Sequence, residues 1–308
     1  MISVIIPYKI FDEYVKECLG GFSRINFKDF ELILLPDKKT IEPEGLKVIE
    51  TNGGIPSTKR NIGVENANGD IYAFIDSDAY PHKDWLKNAI KYLKREDVGG
   101  IGGPNLIPKG ANLWEKVSDD VLSMFIGGGK SSITCKVDNR VQEVVEMPGC
   151  NLIVKKKYFK KFDPDLFCSE DTKLCFDIRK QGKKIIYAPD VIVYHHRRNS
   201  FYRHLKQMFL YGRDIAFFTR KNFSLDLLYY SILSLWVLGL IIGGILSYFS
   251  EILRLIYFGV ILFYLIIVLI SSVLQNIKRS FLVFVMIILT HIFYGVGYLY
   301  GLVTRIKS

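Results

Sequence analysis

The sequence predicts an α/β domain built on a Rossmann-like, mostly parallel sheet, followed by an all-α transmembrane segment. Three observations lead there. Short apolar runs ending in Pro or Asp alternate with stretches of helical periodicity through residues 1–196, the pattern of parallel strands joined by crossover helices. One of those runs, Ile71-Tyr72-Ala73-Phe74-Ile75, has no polar alternation and fits a strand buried on both faces. It runs straight into Asp76-Ser77-Asp78. Finally, the composition changes abruptly near residue 225, after which the chain is mostly Leu, Ile, Val, Phe, Tyr and Gly.

The elements follow in order. Ile2–Ile6 is a buried strand closed by Pro7. A helix over about 12–22 has Asp12 as N-cap and Val15, Leu19 and Phe22 at helical spacing. Phe30–Leu35 is the second strand and Leu46–Ile49 a short third. The next helix starts near Pro56, a favoured first-turn residue, and ends near Asn68-Gly69. After the strand at 71–76, Pro81–Arg95 is amphipathic, with Trp85, Leu86, Ala89, Ile90 and Leu93 on one side. Val98–Ile101 reads as a strand, about 111–126 as a helix, and Gly127–Pro148 as a loop or hairpin. Asn151–Val154, Lys184–Tyr187 and Val191–Tyr194 are strands. Ser169–Gln181 is a helix with Ser169 as N-cap and Gly182 beyond its end.

From Arg197 to Phe223 basic and aromatic residues are mixed, which suits helices lying in a membrane interface. Because the segment feeds directly into apolar stretches, it is read as lipid-facing and not as a nucleic-acid patch. Those stretches, about 227–248, 255–274 and 281–303, are each long enough to cross a ~30 Å hydrocarbon core at ~1.5 Å per residue. The positive-inside rule keeps 197–221 cytoplasmic and, with two crossings, Lys278-Arg279 as well. A third crossing would put Arg305 and Lys307 outside, against the rule, so the last stretch is read as a third span or as re-entrant or interfacial. The domains expected are 1–196, 197–225 and 226–308.

Net charge is +10 over 308 residues. Five basic and two acidic residues lie in 226–308, a contribution of +3, so the rest of the chain is basic in its own right at +7. Met1 leads directly into a strand with no basic n-region or cleavage site, so no secretory leader is read. Cys18, Cys135, Cys150, Cys168 and Cys175 show no metal-finger spacing. An odd, scattered set fits reduced thiols used for packing.

Asp76 and Asp78, spaced i, i+2 at the carboxyl end of a strand, point the same way in an extended chain. Ligands bind at that edge of open α/β sheets. Two carboxylates aimed together call for a hard cation between them, while the plainer reading is an Asp-rich turn. Gly127-Gly128-Gly129-Lys130-Ser131-Ser132 imitates a phosphate loop, but Met124 stands where the first Gly is needed and no strand precedes it. It reads as a mobile loop.

Taken in order, Ser3-Val4-Ile5-Ile6-Pro7-Tyr8-Lys9, Asp37, Lys59-Arg60-Asn61-Ile62-Gly63, Phe74-Ile75-Asp76-Ser77-Asp78, Glu170-Asp171-Thr172 and Tyr187-Ala188-Pro189 leading to Tyr194-His195 resemble glycosyltransferase family 2, the inverting enzymes of GT-A fold. The resemblance covers roughly residues 1–215. It implies a nucleotide-sugar donor, UDP- or GDP-linked, with Pro7, Tyr8 and Asp37 near the base and ribose, or Asp37 as a simple turn residue. It implies Lys59 and Arg60 at the diphosphate, or on a solvated helix face, and Ser77 with Asp76 at the donor. It implies a cation, Mn2+ or Mg2+, held by Asp76, Asp78 and His195, with His196 as the alternative ligand. Asp171, with Glu170 beside it, is the implied general base, although acids there also suit a helix N-terminus. Asn151 falls where the family contacts its acceptor.

The expected protein is a metal-dependent inverting glycosyltransferase, integral to the cell membrane with its catalytic domain cytoplasmic. It would act on a lipid-linked polyprenyl glycan, with membrane lipids and no nucleic acid among its partners. Two rivals stand beside this. One is a polyprenyl-phosphate sugar synthase, and the other a non-catalytic membrane assembly protein that keeps only the fold. The Gln207, Tyr211-Gly212-Arg213 stretch departs from the Gln-x-x-Arg-Trp element of processive synthases, so transfer of one sugar or a few is expected.

Overall fold

The computed structural model describes residues 1–39 and 42–304. The chain divides into two compact units, one formed by 1–110 and 133–196, the other by 111–132 and 197–308.

The first unit holds an eight-stranded sheet. Its strands are β1 (Ile2–Pro7), β2 (Phe30–Leu35), β3 (Lys47–Val48), β4 (Ile71–Phe74), β6 (Val98–Gly102), β8 (Gln142–Val144), β9 (Leu152–Lys155) and β10 (Lys184–Tyr187), in the order β3-β2-β1-β4-β9-β6-β10-β8. A three-stranded sheet holds β5 (Ala79–Pro81), β11 (Val193–His195) and β7 (Asn105–Leu106), in the order β5-β11-β7. β1 pairs in parallel with β2 and β4, β2 with β3, and β6 with β10. β9 lies antiparallel between β4 and β6, and β8 closes the far edge antiparallel to β10. The sheet is therefore mixed around a parallel majority.

Strand alternation divides the core in two. Val4, Ile6, Leu34, Ala73 and Ile153 pack on one face with Trp85, Leu86 and Phe22. Ile5, Ile33, Leu35, Phe74, Leu152 and Val154 pack on the other with Phe162, Leu174 and Ile178. The helices covering those faces are α1 (Glu13–Phe22), α2 (Pro56–Glu65), α3 (Trp85–Leu93) and α6 (Glu170–Lys180). Asp12 caps α1 as its position predicts, its carboxylate accepting from the Val15 N–H at 3.1 Å. Gly63 lets α2 approach β1, since a Cβ there would stand 2.6 Å from Ile5 Cγ2. The Ser169 hydroxyl does not cap α6; the helix starts at Glu170 without it.

The second unit is helical. α4 (Leu113–Leu122) opens on a capping box in which Asn112 and Glu115 satisfy each other's backbone N–H groups. Short α5 (Phe125–Gly128) and a 3₁₀ stretch, Gly129–Cys135, occupy the glycine-rich segment expected to be a mobile loop. Gly129 there adopts φ +58 beside the Tyr229 hydroxyl. The long helices are α7 (Phe201–Lys221), α8 (Ile232–Ser247, led in by a 3₁₀ turn), α9 (Glu251–Gln275) and α10 (Ser280–Val303). Three helical stretches, Leu227–Ser247, Glu251–Gln275 and Ser280–Val303, are long and apolar enough to cross a membrane.

Candidate active site

The acids gather at the carboxyl edge of the parallel strands. Beyond β4 the Ile75 N–H still donates to the Ile5 carbonyl at 3.4 Å. The chain then turns through Asp76-Ser77-Asp78, closed by the Ala79 N–H donating to the Asp76 carbonyl at 3.1 Å. β11 runs antiparallel to β5 with His195 opposite Ala79, and the His196 N–H donates to the Asp78 carbonyl at 3.0 Å. This pairing sets His195 Nε2 3.3 Å from Asp78 Oδ1. The next residue points away, as strand alternation requires. His196 Nε2 lies 2.8 Å from Glu17 Oε2, with its ring edge-on to Tyr14. It is thus His195 that the structure brings to the aspartate pair.

A third group joins them. A carboxylate oxygen of Asp76, a ring nitrogen of His195 and the Cys150 sulfur lie within 4.8 Å of one another. The cysteine pattern carried no hint of this, because Cys150 is 74 positions from Asp76 and 45 from His195. The one local signal is its place next to Asn151, which was expected to meet the acceptor. Carboxylates and an imidazole form a donor set suited to a divalent cation, and the imidazole and thiol move the preference from Mg2+ towards Mn2+. The residues present therefore fit the expected metal. Burial acts to lower the His195 pKa, but Cys150 and the Asp78 carboxylate beside it outweigh burial and raise it to about 10.

Arg60 binds the acids together. It is 2% exposed. One arm of its guanidinium donates to Asp76 Oδ1 at 2.5 Å and the other to Glu170, with the Phe162 ring 5.5 Å away. Gly149 leaves room for it, since a Cβ there would stand 3.0 Å from Arg60 Nη2. Among the described residues Arg60 Nε and Glu170 Oε2 are buried without a hydrogen-bond partner. Asp171 accepts the Gly149 N–H on Oδ2 at 2.7 Å and the Thr172 N–H on Oδ1 at 2.8 Å. One guanidinium thus faces Asp76, Glu170 and Asp171. Burial raises the pKa of both Glu170 and Asp171, against the opposing charge of Arg60. Neighbours this close titrate as a pair.

A second cluster lies at the ends of β1 and β2. Lys59, 3% exposed, donates to the Tyr8 carbonyl at 2.5 Å and is ion-paired with Asp37. The Tyr8 hydroxyl donates to Glu42 Oε1 at 3.0 Å. Pro7 ends β1 in register with Leu35. Neither Lys59 nor Arg60 is on a solvated face. Asn151 is 0% exposed. Its side chain accepts from Trp85 Nε1 at 2.8 Å and donates to the carbonyls of Pro104 at 3.2 Å and Val191 at 2.9 Å, so the fold itself uses it.

Residues 72–297 match the sequence profile of glycosyl transferase family group 2. The chain belongs to that family. A dolichyl N-acetyl-alpha-D-glucosaminyl phosphate 3-beta-D-2,3-diacetamido-2,3-dideoxy-beta-D-glucuronosyltransferase of Methanococcus voltae is 25% identical over 275 residues, 80% of this chain and 83% of that protein. Glycosyltransferase AglE of Haloferax volcanii is 28% identical over 259 residues, 77% and 80% of the two chains. Among solved structures, mannosyltransferase PcManGT of Pyrobaculum calidifontis, in complex with GDP-Man and Mn2+, superposes with a TM-score of 0.62. The match covers 97% of this chain and 87% of that one at 16% identity, a likeness of fold. This family 2 protein is a glycosyltransferase with a GT-A catalytic fold followed by long apolar helices.

Proposed function

We propose that this family 2 transferase moves a sugar, with inversion, from a UDP- or GDP-linked donor to a hydroxyl of a lipid-linked polyprenyl glycan at the cytosolic membrane face. The observation that carries this is the meeting of Asp76, Asp78 and His195 with the Arg60–Glu170–Asp171 group at one strand edge. Two relatives add support. The Methanococcus voltae protein has a dolichyl-linked N-acetylglucosaminyl phosphate in its name, and PcManGT was solved with GDP-Man and Mn2+.

Asp76, Asp78 and His195 would hold the divalent cation, Mn2+ or Mg2+, which when bound supplies positive charge opposite the departing diphosphate. Arg60 fixes the Asp76 carboxylate through one arm, and a carboxylate oxygen of Asp76 lies within 4.8 Å of His195 and Cys150. Asp37 and Lys59, at the ends of β2 and in α2, form a charged pair suited to a base or ribose hydroxyl. Asp171 is the base. Two backbone N–H groups orient its carboxylate, and burial raises its affinity for the proton that the attacking hydroxyl gives up.

The test is Asp171→Asn, assayed with a glycan acceptor and with a bare polyprenyl phosphate. Donor binding is retained and transfer to the hydroxyl falls by about 10²–10⁴-fold, the usual worth of a positioned base. Unchanged transfer to the glycan overturns the assignment. A phosphate acceptor is already ionised and needs no base, so a variant fully active on polyprenyl phosphate would favour the synthase reading.

A further inference from the structure

The sequence reads Cys150 as a packing thiol, and its burial agrees with that. Its neighbours do not. The side-chain N–H of Asn105, itself buried, donates to the Cys150 sulfur at 3.5 Å. The His195 ring is a second polar neighbour of the same sulfur. A carboxylate oxygen of Asp76 completes a group whose three donor atoms lie within 4.8 Å of one another. A packing thiol has no need of such neighbours. An amide N–H turned towards a sulfur is the kind of outer contact that orients a metal ligand.

The fold fixes the sulfur where it is. Cys150 sits in the 3₁₀ turn Gly149–Asn151 that leads into β9. The Asn151 N–H donates to the Pro148 carbonyl at 2.9 Å, and the Asn151 side chain is tied to Trp85, Pro104 and Val191. Asn105 lies on β7 in register with Val193 of β11, two residues before His195. Paired strands therefore carry both the donor to the sulfur and the imidazole beside it.

Two donor sets share Asp76 and His195 at this edge. With Asp78, whose Oδ1 is 3.3 Å from His195 Nε2, the set is two oxygens and a nitrogen, and the carboxylates suit a hard ion. With Cys150 it is oxygen, nitrogen and sulfur. Metal–ligand bonds of about 2.0–2.3 Å set donors about 3.5 Å apart around a tetrahedral ion, so a small closing of side chains brings the second set together.

We propose that Asp76, Cys150 and His195 form a thiolate site that takes Zn2+ or Cd2+ in preference to Mn2+. The inference rests on the metal reading of the proposed function and adds to it a ligand and a selectivity. Thiolate selects soft ions, and mixed N/O/S sites bind Zn2+ more tightly than Mn2+. The thiol proton leaves to solvent as the metal–sulfur bond forms. An ion held this way uses two residues on which the Mn2+ arrangement depends. The two ions therefore exclude each other, and the soft one inhibits transfer.

The experiment uses full-length protein in detergent without nucleotide. Cys135 and Cys168, the two cysteines that are not buried, are replaced by Ser so that they do not compete. Cd2+ is titrated in while the ultraviolet thiolate-to-cadmium charge-transfer absorption is followed, and release of pre-bound Mn2+ is read by electron paramagnetic resonance. The absorption should saturate at one Cd2+ per chain as Mn2+ is released, and Cys150→Ser should lose it. Asp76→Asn keeps the Cys150 thiol and should weaken Cd2+ binding about tenfold or more, since even outer-shell partners are worth about 10–100-fold. Displacement of Mn2+ without the absorption, or absorption that persists in Cys150→Ser, removes Cys150 from the metal and leaves the Asp76–Asp78–His195 reading standing. Undiminished Cd2+ binding in Asp76→Asn also overturns the site. A protein that binds neither ion overturns this inference together with the metal reading beneath it.

Discussion

Arg60 shows how a residue's type can be legible while its partner is not. Family resemblance points to it as a basic residue near the donor diphosphate, yet its guanidinium is buried between Asp76 and Glu170, 16 and 110 positions away in the chain. Contacts at such separations leave no local pattern, and the same reason hid Cys150 beside His195. By contrast the side that His195 takes follows from period-two geometry once β11 is known, whereas Asp76 and Asp78 lie in a turn and not in the extended chain expected of them. One positive charge among three carboxylates has a consequence for stability. Burial raises the Glu170 and Asp171 pKa values, so the folded protein holds a proton that the unfolded chain has released above the ordinary carboxylate range. The sign follows from linkage. The contribution is complete below the unfolded pKa and is lost as pH rises through the raised values. Glu170→Gln keeps the shape and removes the titration, so its thermal midpoint should fall less than that of the wild type as pH is raised. Arg60→Ala leaves the buried Glu170 carboxylate, and the partly exposed Asp76, without their counter-ion and should cost about 3 kcal/mol. Thermal unfolding of the three proteins across pH checks both. A Glu170→Gln profile parallel to the wild type would mean that Glu170 is ionised in the fold.

At the scale of elements, strands of four to six residues and helices with caps were the most legible. Phe30–Leu35 and Lys184–Tyr187 coincide with their expected limits, and α1 starts behind Asp12 as expected. The two- and three-residue strands β5, β7 and β8 carry too few side chains for a period to show, and they were missed. The antiparallel direction of β9 is likewise not written in Leu152–Lys155, since a strand buried on both faces has the same composition either way. In α10 apolar composition read as a possible span, while glycine spacing was the better guide to what the helix touches. Gly212, Gly297 and Gly301 let the backbones of α7 and α10 meet, with added Cβ atoms only 2.1–2.2 Å from opposing carbonyls. Backbone cannot yield as a flexible side chain does, so Gly297→Ala should force the pair apart and destabilise by about 1–3 kcal/mol. Gly239→Ala in α8, with nothing within 4 Å of its Cβ, is the control and should be neutral or slightly stabilising. Unfolding in detergent separates them, and equal midpoints would mean that α7 and α10 are not in close contact.

Over the whole molecule, the sequence divides residues 1–196 from the apolar segment, and the structure adds that 111–132 forms one compact unit with the C-terminal helices. That grouping rests on the ion pairs Asp119–Arg197 and Asp120–Arg279 and on His204, whose ring nitrogens meet Ser118 at 2.7 Å and Thr290 at 2.9 Å. None of these pairs has a sequence signature. In the first unit the donor-side residues are mostly joined to one another, Lys59 to Asp37 and Arg60 to Asp76, so much of the site is organised without ligand. The Asp76, Asp78, His195 and Cys150 group is the part that offers a cation its donor atoms. A nucleoside diphosphate arriving there alone would meet the carboxylates of Asp76 and Asp78, and a cation arriving with it would relieve that repulsion. UDP and GDP should therefore raise the thermal midpoint of the purified protein little by themselves and substantially with Mn2+. One of the two should do so more strongly. A ligand at a hundred times its Kd stabilises the folded state by about 2.7 kcal/mol. Asp76→Ala should abolish the Mn2+-dependent increment. An equal increment in that variant, or a full shift without metal, would mean that the carboxylates at 76 and 78 do not hold a cation against the donor.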